Sequence, residues 1–329
     1  MTQVYCSRQC FLFGLTFLLT LVSPAWGEEF GGHSYEMAKA ATVEILVNGH
    51  LDGSGWIADP QGLVLTAGHV IKSPGQKLEI SSSSLGRKEA KVVAVDLGHD
   101  LALLSIEPRK EGYPALKLAE KCPSPGTMVF AIGAPLYRHG VLMPGRIASA
   151  ETAFEYYADR FNEVTLISAM APGGMSGGPW LNMAGEVVGV QSAVMSLTNI
   201  PVGISFAGPL PAIRTLLERR KTAATPSLGL HGEELWMHER KTMDRYPPKT
   251  EGLVIRSLQA DGPASRAGLK KFDLIVAADG KPVRLIAELL RIVCNKKPGQ
   301  SVELSILRPD GAGQVKATVT LGKLEVAWP

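Results

Sequence analysis

Ser176 lies in Gly173-Gly174-Met175-Ser176-Gly177-Gly178-Pro179, a hydroxyl with glycines on both sides. Glycine accepts positive φ and puts no Cβ in the way, so successive N–H groups can turn toward one point. A hydroxyl at that point is a candidate nucleophile, and the amides of Gly174 and Ser176 are candidate receivers of the oxyanion formed on attack. Two further residues could complete such chemistry. His69 follows a run of small residues in Thr66-Ala67-Gly68-His69-Val70. Asp100 stands at the mouth of the apolar run Leu101-Ala102-Leu103-Leu104, where a carboxylate needs a partner to offset desolvation. A buried acceptor of that kind fixes a histidine's tautomer and stabilises its charged form. His99, its neighbour, is expected to point the other way along a strand and to face solvent.

The elements that would position these residues are short and apolar. Strands are expected over 41–47, 53–58 and 63–65, the last two as a hairpin around Asp59-Pro60-Gln61-Gly62. More follow over 92–95, 101–104, 128–132, 145–149 and 164–168, then over 185–190 and 203–207 after the serine loop. Helical spacing of Ile213, Leu216 and Leu217 closes this part. Many strands without interleaved helices argue an antiparallel barrel. The segment also satisfies G-x-S-x-G, the elbow of α/β-hydrolases. That architecture needs its acid and histidine after the serine on a parallel sheet, and the strands here do not alternate with helices.

Here the residues carry a resemblance. Thr66-Ala67-Gly68-His69, Asp100-Leu101-Ala102-Leu103 and Gly174-Met175-Ser176-Gly177-Gly178-Pro179 resemble the three signature blocks of trypsin-like serine proteases. Their order matches, with steps of 31 residues (100 − 69) and 76 residues (176 − 100). That compact spacing resembles the HtrA/Deg proteases, as do Gly53-Ser54-Gly55-Trp56-Ile57 and Val202-Gly203-Ile204-Ser205-Phe206-Ala207. One departure is Met175, where the family usually has asparagine.

From about 227 to 324 the chain resembles a PDZ domain of the bacterial protease type. The residues that carry this are Leu228-Gly229-Leu230, Gly262-Pro263-Ala264-Ser265-Arg266-Ala267-Gly268-Leu269 and Asp279-Gly280-Lys281-Pro282-Val283.

The resemblance implies a mostly β fold: a trypsin-like double β-barrel over 28–220 and a small α+β PDZ domain over 221–329, with a linker near 218–226. It implies a serine endopeptidase in which Ser176 is the nucleophile, His69 the general base and Asp100 its orienter. Polypeptides would be its substrates, C-terminal peptides its ligands at Leu228, Gly229 and Leu230, and a homotrimer its assembly. The segment over 28–35, with Phe30 and Tyr35, is a candidate contact to partner subunits. Met170, six residues before the nucleophile (176 − 6), and Ile204 would line the primary specificity pocket. Glu186 is the only acidic residue between Thr165 and Leu210, so cleavage after small or aliphatic residues is expected. The alternative from another class is a catalytically silent chaperone or adaptor on the same scaffold.

Composition sets the remaining bounds. The 329 residues are 45% hydrophobic and 20% charged with a net charge of +3, a globular pattern with no basic block that would point to nucleic acid. No H-E-x-x-H or C-x-x-C occurs, so no cofactor and no metal is expected. Residues 1–27 read as an export signal. Arg8 precedes an apolar run over 11–22, Ser23-Pro24 breaks it, and Ala25-Trp26-Gly27 sets small residues at the cleavage site. A periplasmic or secreted protein is expected, with an uncleaved membrane anchor as the alternative. Cys6 and Cys10 would leave with the signal, while Cys122 and Cys294 remain.

Overall fold

The structure is a computed structural model that describes residues 30–71, 75–309, 311 and 313–324. The signal expected over 1–27 lies outside the described residues.

Helix α1 (Gly32–Ala41) leads in, buries Ala38 and Ala41, and hands over to strand at Thr42, whose hydroxyl donates to Ala38 O (2.8 Å). Six strands then close on themselves in the order β1-β2-β3-β6-β5-β4. They are β1 (Thr42–Val47), β2 (His50–Ile57), β3 (Leu63–Ala67), β4 (Leu78–Ser82), β5 (Gly86–Asp96) and β6 (Leu101–Ile106). Branched side chains on alternate positions fill this barrel, with Val43, Ile45, Ile57, Val64, Ile80, Leu104 and Ile106 in one cluster. The β2–β3 turn is held by Asp59, whose carboxylate takes the amides of Gln61 (2.9 Å) and Leu63 (3.2 Å).

A second barrel follows, from β7 (Met128–Gly133), β8 (Val141–Ile147), β9 (Ala153–Tyr157), β10 (Arg160–Ser168), β11 (Pro179–Leu181), β12 (Val187–Leu197) and β13 (Ile200–Pro209). The sheet runs β13-β12-β11-β7-β8-β10-β9, and pairing of β13 with β10 closes it. Helix α2 (Leu210–Arg219) packs Leu210, Ala212, Ile213 and Leu216 inward and ends where Arg220 turns left-handed (φ 50°).

The C-terminal part opens with β14 (Pro226–Ser227), which pairs with the late strand β21 (Gly322–Lys323). Between them lie β15 (Leu230–Glu234), α3 (Arg240–Met243), β16 (Leu253–Leu258), α4 (Pro263–Arg266), β17 (Leu274–Ala278), β18 (Lys281–Pro282), α5 (Ile286–Cys294), β19 (Ser301–Leu307) and β20 (Gln314–Thr320). The sheet order β15-β16-β17-β19-β20 leaves β15 as an edge strand, and α5 buries Leu289 and Val293 in the core of this part.

The mostly β, two-part architecture is as the sequence implies. Phe30 and Tyr35 both pack on this chain's own core. The Phe30 ring lies 4.7 Å from Phe130, and the Tyr35 hydroxyl donates to Gly140 O (2.9 Å). The two parts also touch. The Tyr156 ring on β9 stacks on His231 of β15 at 3.9 Å, and Arg291 of α5 meets Glu151 at 2.6 Å.

Candidate active site

The serine loop runs from β10 to β11 between the two barrels, and two of its glycines are obligatory. Gly174 (φ 97°) and Gly177 (φ 88°) are left-handed, and a Cβ on them would sit 2.3 Å from Ala134 O and 2.1 Å from Ser54 O. The loop is fastened at both of the candidate oxyanion amides. A trans peptide is planar, so fixing a carbonyl fixes the direction of the N–H on the opposite side. Leu136 N donates to Gly173 O (2.9 Å), which aims the Gly174 N–H. Gly178 N donates to Met175 O (2.9 Å), which aims the Ser176 N–H. Neither amide donates to an acceptor among the described residues.

Ser54 on β2 lies in the Gly53–Ile57 block and has a role that its sequence does not reveal. Its amide donates to Ser176 O (2.7 Å) and its hydroxyl donates to Gly174 O (2.7 Å) while accepting from Ala134 N (3.0 Å). The small neighbours matter too, since a Cβ on Gly53 would lie 2.7 Å from Ser176 O. Met175 is fully buried in the second barrel beside Trp180 and Ile147. Its side chain thus anchors the loop by packing.

His69 sits in a single turn (Gly68–Val70) directly after β3, and Asp100 in the tight β5–β6 turn. Asp100 adopts φ 53°, a left-handed conformation that a short polar side chain tolerates. The two residues come together because β3 and β6 pair from Leu63↔Ser105 to Ala67↔Leu101. The Asp100 carboxylate is fully buried, accepts from the His69 amide (2.9 Å) and lies 2.7 Å from His69 Nδ1. With its Nδ1–H donating a hydrogen bond to Asp100, the imidazole has Nε2 as the nitrogen that takes a further proton. The Ser176 hydroxyl donates to Ser192 O (3.1 Å).

A second ring of groups surrounds Asp100. The Ser192 hydroxyl donates to Asp100 Oδ2 and is itself bonded to the Tyr157 hydroxyl (2.8 Å), while Arg160 Nη2 lies 3.5 Å from Asp100 Oδ1. Burial alone pushes the Asp100 carboxyl up. The charge and hydrogen bond of His69, the Ser192 hydroxyl and the Arg160 charge outweigh it and hold the group below the usual carboxylate range. Asp100 is therefore an anion at neutral pH.

His99 corrects an expectation. It does not face solvent as a strand neighbour would, because 97–100 is a turn and strand alternation does not apply. Its Nδ1 meets Asp96 Oδ2 at 2.8 Å and its Nε2 lies 3.4 Å from Glu163 Oε2. Burial pushes this imidazolium down, but the two carboxylates raise it to about 9.

Met170 and Ile204 lie beside one another in the chain's path, since Ser168 pairs with Ile204 and Ala169 N donates to Gly203 O (3.0 Å). Met170 is exposed and Ile204 half-buried. Glu186 is held in the Asn182 turn, where its carboxylate accepts from Asn182 Nδ2 (2.8 Å).

In the C-terminal part, Gly229 (φ 65°) opens edge strand β15, but two features differ from the expected carboxylate loop. Leu228 is 4% exposed and belongs to the core, with its carbonyl bonded to Ala264 N (2.9 Å). It offers no side chain to a ligand, which leaves half-buried Leu230 as the apolar wall. The Gly229 amide is already taken by Ser227 Oγ (3.1 Å).

Two β-barrels with a buried Asp–His pair and a serine turn between them define the trypsin-like peptidase class, and the edge strand beside α5 defines a PDZ domain. Comparison with known proteins agrees: residues 53–190 match the trypsin-like peptidase domain and 230–321 the PDZ domain. The chain thus joins a trypsin-like peptidase domain to a C-terminal PDZ domain.

It is 32% identical over 280 residues to a "Probable periplasmic serine endoprotease DegP-like" of Pseudomonas savastanoi pv. phaseolicola, covering 83% of this chain and 56% of that one. A protein of the same name from Halomonas elongata is 29% identical over 84% of this chain and 56% of its own length. The chain thus spans about half the length of these curated relatives. Among solved structures, HtrA-type protease AlgW with a decapeptide superposes with a TM-score of 0.64 at 22% identity, covering 90% of this chain and 99% of that one. A serine endoprotease of Yersinia pestis gives 0.60 at 24% identity, covering 88% and 98%.

Proposed function

We propose that the chain is an exported serine endopeptidase acting on unfolded polypeptides, with a leader over 1–27, a protease domain over 28–220 and a PDZ domain over 221–329. Ser176 attacks the scissile carbonyl as His69 Nε2 takes its proton. The Gly174 and Ser176 amides hold the oxyanion, and His69 then returns the proton to the leaving amine. Asp100 stays ionised and orients the imidazole throughout. The observation that carries this reading is the fully buried Asp100 carboxylate bound to both the amide and Nδ1 of His69. Two amides whose directions are fixed by their partner carbonyls support it. The relatives' names, periplasmic serine endoproteases, point the same way for compartment and activity.

Met170 and Ile204 form an apolar primary pocket in this proposal. Edge strand β15 takes C-terminal peptides by strand addition, with Gly229 at the carboxylate end. The experiment is degradation of a reduced, unfolded protein by the purified chain and by Ser176→Ala. Hydrolysis by the parent, lost in Ser176→Ala, supports the reading; equal hydrolysis by both refutes it. Sedimentation of the same sample tests the homotrimer that the resemblance implies, through a mass three times that of the chain.

A further inference from the structure

We infer that Arg160 is a positioning residue for the proposed proton transfer: it shares the charge of Asp100 and so weakens the hold of His69 on its proton. The inference rests on the triad reading above. Arg160 opens β10, and its side chain is 16% exposed. Three hydrogen bonds fix its guanidinium: Nε donates to Leu97 O (3.1 Å) and Asn162 Oδ1 (3.2 Å), and Nη1 donates to Ala158 O (3.2 Å). The remaining Nη2 is thereby directed at Asp100 Oδ1. That oxygen also takes the His69 amide, while Oδ2 takes the His69 ring and the Ser192 hydroxyl. The carboxylate therefore serves two cations, the imidazolium during turnover and a permanent guanidinium.

A single negative charge shared this way stabilises an imidazolium less than an unshared one would. The consequence is a base that releases its proton to the leaving amine more readily and stays neutral to lower pH. The other titratable groups facing this cluster, among the described residues, do not substitute for Arg160. Tyr157 is bonded to Ser192, and burial, with Asp100 close by, holds it protonated. The Glu155 carboxylate adds to that hold on the Tyr157 proton. The Asp96–His99–Glu163 group contains its own cation. Among the described residues, Arg160 is the one permanent cation in contact with Asp100.

A purely structural Arg160, tying the β9–β10 hairpin to the 97–100 turn, makes a different prediction, and pH separates the two. In Arg160→Gln the acidic limb of the kcat/KM profile should move up by ~0.5–1 pH unit, with the alkaline plateau kept, as expected for losing a charge at this range in a partly screened site. Arg160→Lys, which restores the charge, should return the limb toward the parent position. Should Gln fail to hold the hairpin, Arg160→Met removes the same charge.

Titration of the His69 Nδ1 proton by NMR in Ser176→Ala gives the same displacement without any turnover. An unmoved limb and unmoved NMR titration in Arg160→Gln, or equal displacement in Gln and Lys, overturns the inference. A parent chain without hydrolysis refutes the triad reading instead.

Discussion

Replacing Gly174 by Ala perturbs the serine loop at its tightest point. The residue is left-handed at φ 97°, a conformation costing a side-chain-bearing residue of order 1–2 kcal/mol. The added Cβ would lie 2.3 Å from Ala134 O and 3.2 Å from its carbonyl carbon, both backbone atoms that cannot rotate away. The loop must therefore shift, breaking either the Leu136 N to Gly173 O bond or the Ser54 Oγ to Gly174 O bond. The first aims the Gly174 N–H, so its loss removes one oxyanion donor, an effect typically of about 10²–10³ in kcat.

The assay is hydrolysis of a fluorogenic unfolded-protein substrate, with far-UV circular dichroism to confirm the fold. Gly173→Ala is the matched control, since a Cβ there meets nothing within 4 Å. Gly174→Ala should lose two or more orders of magnitude in kcat and Gly173→Ala little. Full activity in Gly174→Ala would refute the claim that this amide belongs to the oxyanion site.

Further predictions concern residues around the loop and in the PDZ domain. His99 titrates near 9 in the fold against an ordinary 6.5, so its contribution is complete below about pH 6.5 and disappears as pH rises through 9. The thermal midpoint should fall across that window, and His99→Gln should flatten the fall. Met170→Asp should move preference toward substrates with Lys or Arg at the cleaved bond, read from a peptide-library cleavage map, because it supplies the carboxylate those side chains lack a partner for. Leu228→Ala should lower PDZ stability by roughly 2–5 kcal/mol, as removal of a buried leucine does. Leu230→Ala should instead weaken binding of peptides with an apolar C-terminal residue, measured by titration against the amidated peptide.

Much of this was legible in the sequence because the information is local. The hairpin around Asp59, the small residues before His69 and the glycines around Ser176 each encode their own backbone. The two-domain, mostly β fold follows from the strand-turn rhythm. What stayed hidden depends on partners far along the chain. Ser54 meets the serine loop 120 residues away, and Ser192 meets Asp100 across 92 residues. Strands β4 and β9 are short and partly polar, so alternation is weak in them. His99 escapes the strand rule because 97–100 is a turn. Leu228 departs from its motif because the loop backbone, closed by Ala264 and Gln259, turns that leucine into the core.

In the proposed mechanism Ser176 is a nucleophile activated by His69 and Asp100. Reaction of the purified chain with a serine-directed fluorophosphonate, with the labelled residue located by mass spectrometry, tests it most directly. A single adduct on Ser176 is expected, slower to form in Asp100→Asn and absent in Ser176→Ala. An unlabelled parent chain, or a label that persists in Ser176→Ala, would contradict it.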